Sequence, residues 1–69
     1  MPISARNQIK GTVTGITKGE AIANVAIDAG GQRIVASITT EAASELGLAE
    51  GTEVTAIIKA SDVILATGD

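Results

Sequence analysis

The sequence predicts an all-β protein with one short helix, its five short strands arranged as a small Greek-key barrel. Three observations predict it. Runs rich in Ala, Val, Ile and Thr alternate apolar with polar residues over 7–39 and again from 53, the period of half-buried strands. Glycine-bearing turns at 18–20 and 29–32 separate the first runs. Only one window, 39–47, changes to helical spacing, and it falls between the third and fourth strands.

The first strand is "NQIKGTVTGIT", 7–17, where Ile9 and Val13 share a parity with Gly11 and Gly15. Glycines at such positions mark bends or bulges, as in strongly curved small barrels. "KGE" at 18–20 is a turn. "AIANVAID", 21–28, is the second strand, with Ala23, Val25 and Ile27 on one face and Asn24, Ala26 and Asp28 on the other. "AGGQ", 29–32, is a hairpin turn in which glycine accepts positive φ. "RIVASIT", 33–39, is the third strand, with Ile34, Ala36 and Ile38 alternating against Val35, Ser37 and Thr39.

"TTEAASELG", 39–47, has a Thr cap, an early Glu and a terminal Gly, so it reads as a helix that buries Ala42, Ala43 and Leu46. "LAEGTE" is a loop, "EVTAIIKA" (53–60) the fourth strand with Val54, Ala56 and Ile58 on one face, and "SDVILA" (61–66) the fifth. The tail "TGD" is expected to fray. Five strands with a helix between the third and fourth is the pattern of the OB-fold, and residues 1–69 read as a single domain. Several strands, among them "VAIDA" and "TAIIKA", are apolar on both faces. A free-standing small barrel is polar outside, so a second layer, made by other subunits, is expected to cover it.

Composition narrows the chemistry. A chain of 69 residues builds a small core and commonly needs a disulfide, a metal or oligomerisation. The chain has no cysteine, which excludes disulfides and thiolate metal sites, and no histidine, which removes the commonest transition-metal ligand and general base. Oligomerisation remains. Hydrophobic residues make up 45% of the chain without one aromatic, so the core is thin and gains by stacking on another copy. With five basic residues and a net charge of −3, the chain lacks the cationic groove and the stacking platforms of nucleic-acid binders. "MPISARN" carries neither a charged n-region nor an apolar h-region, and no apolar run is long enough to span a membrane. A cytoplasmic protein is the expectation.

Catalysis finds little support. No hydroxyl has a histidine partner. The acidic pairs Glu41/Glu45 and Glu50/Glu53 read as solvated faces of the helix and its following loop. The glycines do not form a phosphate-binding G-x-x-x-x-G-K-[ST] loop. Anion binding fits better. Ser4-Ala5-Arg6-Asn7 and Lys59-Ala60-Ser61 each set a cation beside short polar residues and small backbone. Arginine offers a planar fork of donors suited to two oxygens of a tetrahedral oxyanion, and lysine adds a compact charge. Alanine lets an anion approach the backbone N–H. Thr39 adds a hydroxyl where the third strand passes into the helix. The alternative pairs Arg6 with Asp62 or Glu41 in a structural salt bridge and leaves Lys59 as a solvated strand end.

Taken in order, "ISARNQIKG", "VASIT" and "ELGLAEGTEVTAIIKASDVILA" resemble the molybdenum-pterin-binding proteins, or molbindins, over residues 3–66. The S-A-R-N and I-K-A-[ST]-x-V motifs together carry the resemblance. It implies an OB-like barrel of the TOBE type that assembles into a homohexamer, a trimer of dimers. It also implies molybdate, or tungstate, held at subunit interfaces for intracellular storage or homeostasis, without catalysis. By motif, the anion would be bound by Ser4, Arg6, Asn7, Lys59, Ala60 and Ser61, with Thr39 from a neighbouring subunit. The protein would not ligate molybdenum directly. A second site on a threefold axis would use backbone near Lys18 and Gly19. Some relatives carry a serine three residues after the threonine matched to Thr39; Ala42 stands there in this chain. The alternative role is a protein-interaction or sensor module of the same fold with weak or no anion binding.

Overall fold

In a computed structural model that describes residues 2–68, the chain is mostly β with one short helix, as its sequence predicts. The elements are β1 (Asn7–Lys18), β2 (Ile22–Ala29), β3 (Gln32–Thr39), α1 (Thr40–Glu45) and β4 (Glu53–Ile58), followed by a 3₁₀ turn at Ala60–Asp62. The strands form one antiparallel sheet in the order β3-β2-β1-β4. The expected frayed end at residue 69 lies outside the described residues.

β1 serves two partners. Its first half pairs with β4 from Asn7↔Ile58 to Thr12↔Glu53, and its second half pairs with β2 from Thr12↔Asp28 to Lys18↔Ala23. The strand bends where the partners change, and Gly11 makes the bend possible. A Cβ at Gly11 would lie 2.5 Å from Ile27 Cγ2 and 2.7 Å from the Asp28 carbonyl oxygen, so no larger residue fits without displacing β2. A register shift between Val13 and Gly15 then leaves Thr14 as the extra residue of a bulge. The shift breaks the parity read from the sequence: Val13 is 1% exposed, but the inner face continues with Ile16, opposite Val25, and not with Gly15. The loop before β4 clasps the bulge. Gly51 N–H donates to the Val13 carbonyl (2.8 Å) and Val13 N–H donates to the Thr52 carbonyl (2.9 Å).

The β2–β3 hairpin closes through Gly30 and Gly31 at φ 62° and 88°, the two positive values that a type I′ turn needs. At the start of α1, Thr39 caps the helix: its Oγ1 accepts a hydrogen bond from Ala42 N–H at 3.0 Å. At its end, Leu48 N–H donates to the Ala43 carbonyl and Gly47 N–H to the Ser44 carbonyl, with Gly47 at φ 65°. This Schellman arrangement stops the helix at Glu45. The expected burial of Leu46 is therefore corrected. As the C-cap it is 67% exposed, and Leu48, two residues on, packs against the core instead.

The core is Val13, Val25 and Ile27, with Ala23 and Ala43 fully buried beside them. Ile16, Ile34, Ala36, Ile38, Leu48 and Val54 pack round it, only partly buried. The expected fifth strand at 61–66 is also corrected. Past Ile58 the chain enters the 3₁₀ turn, with Asp62 N–H donating to the Lys59 carbonyl (2.9 Å) and Val63 N–H to the Ala60 carbonyl (3.2 Å). Beyond it, Val63 keeps an extended backbone, but 63–66 pairs with no strand among the described residues, leaving Ile64 and Leu65 94% and 88% exposed.

Gly11→Val is expected to lower stability by about 1–3 kcal/mol, the range for overpacking, read from the midpoint of chemical denaturation. Gly68→Val, where an added Cβ meets nothing within 4 Å, is the control; it is expected to stay within about 0.5 kcal/mol of the parent.

Candidate functional site

The β1–β4 register brings two of the cationic segments together. Asn7↔Ile58 is the last pair of that ladder; Ser4–Arg6 lead into it and Lys59–Ser61 leave it. Because the strands are antiparallel, both segments sit at the same end of the sheet. Asn7 fastens that end: its Nδ2–H donates to the Ile58 carbonyl at 3.1 Å. The arrangement thus sets a guanidinium and an ammonium on adjacent chain segments that leave the sheet side by side.

These donors are available. Ser4, Arg6, Lys59, Ala60 and Ser61 are exposed, while Ala5 and Asn7 are half-buried. Side-chain hydrogen bonds among the described residues engage Asn7, Thr14, Asn24, Ser37, Thr39, Thr40 and Thr52, but not Ser4, Arg6, Lys59 or Ser61. The 3₁₀ turn uses the carbonyls of Lys59 and Ala60 as acceptors; the N–H groups of Ala60 and Ser61 open the turn and have no acceptor within it. Asp62 closes the same turn, so two cations and one carboxylate mark this end of the sheet.

Thr39 lies elsewhere. It pairs with Ile22 at the start of β2, beside the Lys18↔Ala23 end of β1. That is the end of β1 opposite Asn7, so the sheet of one chain does not bring Thr39 to Arg6 and Lys59. The Thr39 hydroxyl oxygen accepts from Ala42 N–H, and its own O–H remains a donor with no acceptor among the described residues. Glu41 follows on α1, which packs against β2 and β3; of the two carboxylates suggested as Arg6 partners, the fold leaves Asp62 at the Arg6 end. Lys18 is exposed, but the backbone of Gly19 is committed. Gly19 N–H donates to the Ile22 carbonyl (2.8 Å), and the Gly19 carbonyl accepts from Thr40 Oγ1 (2.9 Å). Within the segment suggested for a second site, near Lys18 and Gly19, both backbone groups of Gly19 thus already have partners in this turn.

One feature had only an indirect signal in the sequence. β3 and β4 are the two edges of the sheet, and their inner faces border an apolar cleft of about 660 Å³. Ile34, Ala36, Ile38, Leu48, Val54 and Ala56 line it. Among the described residues no group of three or more His, Cys, Asp or Glu side chains is placed to hold a metal ion, and no helix is long and apolar enough to cross a membrane.

The model of the TOBE domain matches residues 3–65 of this chain. The chain belongs to the TOBE-domain family. Within it, the sequence is similar to the molbindins. Molybdenum-pterin-binding protein 1 of Clostridium pasteurianum is 48% identical over 66 residues, covering 94% of this chain and 97% of that protein. A molybdate-binding protein from Sporomusa ovata superimposes with a TM-score of 0.93 at 37% identity, over 97% of this chain and all of the other. MopII from Clostridium pasteurianum gives a TM-score of 0.89 at 43% identity over 96% of this chain. The molbindin fold, a small OB-like barrel, is thereby that of this chain, including its curved β1 and its short helix.

Thr39→Val is expected to cost about 1 kcal/mol by removing the helix cap, and Thr39→Ser to restore most of it. Thermal unfolding of the two variants beside the parent reads the difference.

Proposed function

We propose that this molbindin domain binds molybdate, or the like-shaped tungstate, without catalysis, at interfaces between copies of a homo-oligomer. Its role is cytoplasmic storage and homeostasis of the anion. The observation that carries this reading is that the β1–β4 register brings Ser4–Asn7 and Lys59–Ser61 to one end of the ladder, where Asn7 is tied to Ile58 and the side chains of Ser4, Arg6, Lys59 and Ser61 are exposed and uncommitted. The names of the relatives, as molybdenum-pterin- and molybdate-binding proteins, supply the ligand.

The charge fits. Arg6 and Lys59 match a dianion, and Ser4, Asn7, Ser61 and the N–H groups at Ala60 and Ser61 add neutral donors. A chain of net charge −3 does not attract an anion from afar, but screening confines that repulsion to about 8–10 Å. Binding is then a matter of aimed, charge-assisted hydrogen bonds in a partly dry interface. Thr39, at the opposite end of β1, joins the shell from a second copy. Its free O–H supplies a neutral donor, and the hydroxyl lost at Ala42 is worth about 0.5–1.5 kcal/mol, which a bridging water can offset.

Oligomerisation has its own support. Ile22, Val35 and Ile57 lie half-exposed on the strands, the apolar cleft stands open between the edges of β3 and β4, and the apolar segment 63–66 is unpaired. In the proposed dimer, that segment of one copy enters the cleft of the other; three dimers then build the hexamer. The same exposed surfaces favour, as a second reading, an interaction or sensor module that works through protein contacts alone.

The test is a calorimetric titration of the protein with molybdate in buffer already containing excess sulfate. Saturable heat at no more than a few anions per chain is expected. A folded oligomer that gives none overturns the reading and leaves the interaction module. Arg6→Ala and Lys59→Ala are each expected to weaken binding about tenfold or more, since a charge-assisted hydrogen bond contributes about 1.5–3 kcal/mol. Ala60→Val is expected to weaken it too, by keeping the anion away from the backbone.

A further inference from the structure

We infer that the anion site and the C-terminal arm, residues 63–66, are one device: occupancy of the site locks the turn from which the arm leaves, and so governs how fast subunits exchange. The inference rests on the oxyanion reading above and adds a regulation of that site.

The residues between the sheet and the arm are few. Asn7 holds the Ile58 carbonyl, so the chain is fixed up to the last residue of β4. The apolar arm begins at Val63 with extended backbone. Only residues 59–62 lie between, and three of these, Lys59, Ala60 and Ser61, are the donors assigned to the anion. Two backbone hydrogen bonds, at 2.9 and 3.2 Å, shape this turn, and every residue in it is exposed. A segment with no buried side chains and exposed hydrogen bonds belongs to the least stable part of a fold. Its geometry nevertheless decides where the arm points.

The occupant of the cleft is the arm of a second copy. The cleft lies between two unpaired strand edges, each with free backbone donors and acceptors, and its lining is mostly aliphatic, with Thr52, Glu53 and Thr55 as its polar members. The arm is the matching element: extended at Val63, aliphatic, and more exposed at Ile64 and Leu65 than any large hydrophobic residue elsewhere among those described. An anion held by Arg6 on the β1 side and by Lys59 and Ser61 on the turn ties the turn to the sheet. The arm's exit direction is then fixed. Withdrawal of the arm from its partner requires that turn to swing, and the bound anion opposes the swing. At equilibrium the coupling is reciprocal: a bound anion tightens docking of the arm, and a docked arm raises anion affinity by the same factor.

The experiment mixes isotope-labelled and unlabelled full-length protein and follows mixed oligomers by native mass spectrometry, alone, with molybdate, and with an equal concentration of sulfate. Molybdate at about one hundred times its dissociation constant, where the site is nearly full, is expected to slow mixing about tenfold or more. Sulfate is expected to leave the rate unchanged. A variant with two glycines inserted between Asp62 and Val63 keeps the donors and the arm but frees one from the other. It is expected to bind molybdate in the titration yet to mix equally fast with and without it. Unchanged mixing of the parent, in an oligomer that binds molybdate saturably, overturns this inference and leaves the functional reading standing. Equal slowing by sulfate, or full slowing of the insertion variant, also overturns it, since the anion then acts through ionic strength or as a plain bridge. A chain that stays monomeric or takes up no molybdate removes both the inference and the reading beneath it.

Discussion

The pairing of β1 with two strands at once is the constraint on which the rest of the structure depends. Its first half belongs to β4 and its second to β2, with Thr12 at the changeover. A straight strand would keep both partners in one flat sheet with nothing to enclose. Gly11 lets β1 close on Ile27 and Asp28 of β2, and the bulge after Val13 turns the next residues so that Val13 and Ile16 both face inward. The curvature this produces encloses a core of Val13, Val25 and Ile27 without any aromatic side chain. The loop hydrogen bonds at Val13 then satisfy the backbone that the bulge takes out of the ladder.

The same strand sets the geometry of the proposed site. Each end of β1 carries part of the donor set: Ser4, Arg6 and Asn7 at one end, Lys18 and, through β2 and β3, Thr39 at the other. β4 returns antiparallel and delivers Lys59–Ser61 to the first end. In a protein with five basic residues and a negative net charge, bringing two of them together by register is the economical way to meet a dianion. The Asn7–Ile58 hydrogen bond anchors that arrangement, and the turn beyond it is exposed and has no buried side chain.

Sheet edges are the main structural support for the proposed assembly of so small a domain. β3 and β4 are both edges, and the cleft between them is lined by side chains that a monomer leaves partly in water. A domain of this size buries only a modest fraction of its surface by itself, so burial of this cleft in an assembly would add appreciably to its stability. In the proposed assembly the arm of a second copy supplies the missing edge, and the acidic surface keeps the assembled particles apart in solution.

Much of this was legible in the sequence because it is local chemistry. Four strands, their inward faces on β2, β3 and β4, the Gly30–Gly31 hairpin and the Thr39 cap follow from side-chain period, turn residues and capping rules, which act over a few positions. Gly11 and Gly15 announced a bend and a bulge, although not that the bulge would exchange Gly15 for Ile16 on the inner face. The S-A-R-N and I-K-A-S segments announced the family through their residue types, which the domain match bears out. Tertiary structure alone decided the rest. Leu46 lost its place in the core to Leu48 because the helix stopped one residue short of it, a choice made by two backbone hydrogen bonds. Residues 61–66 have the composition of a strand, but a strand exists only where an edge receives it, and among the described residues they pair with neither free edge of their own sheet. Thr39 and Arg6 look alike as donors in the sequence, and only the run of β1 between them puts them at opposite ends of the sheet. Residue type and period are properties of neighbours along the chain; which edge is free, and which donors meet, depend on contacts between residues far apart in it.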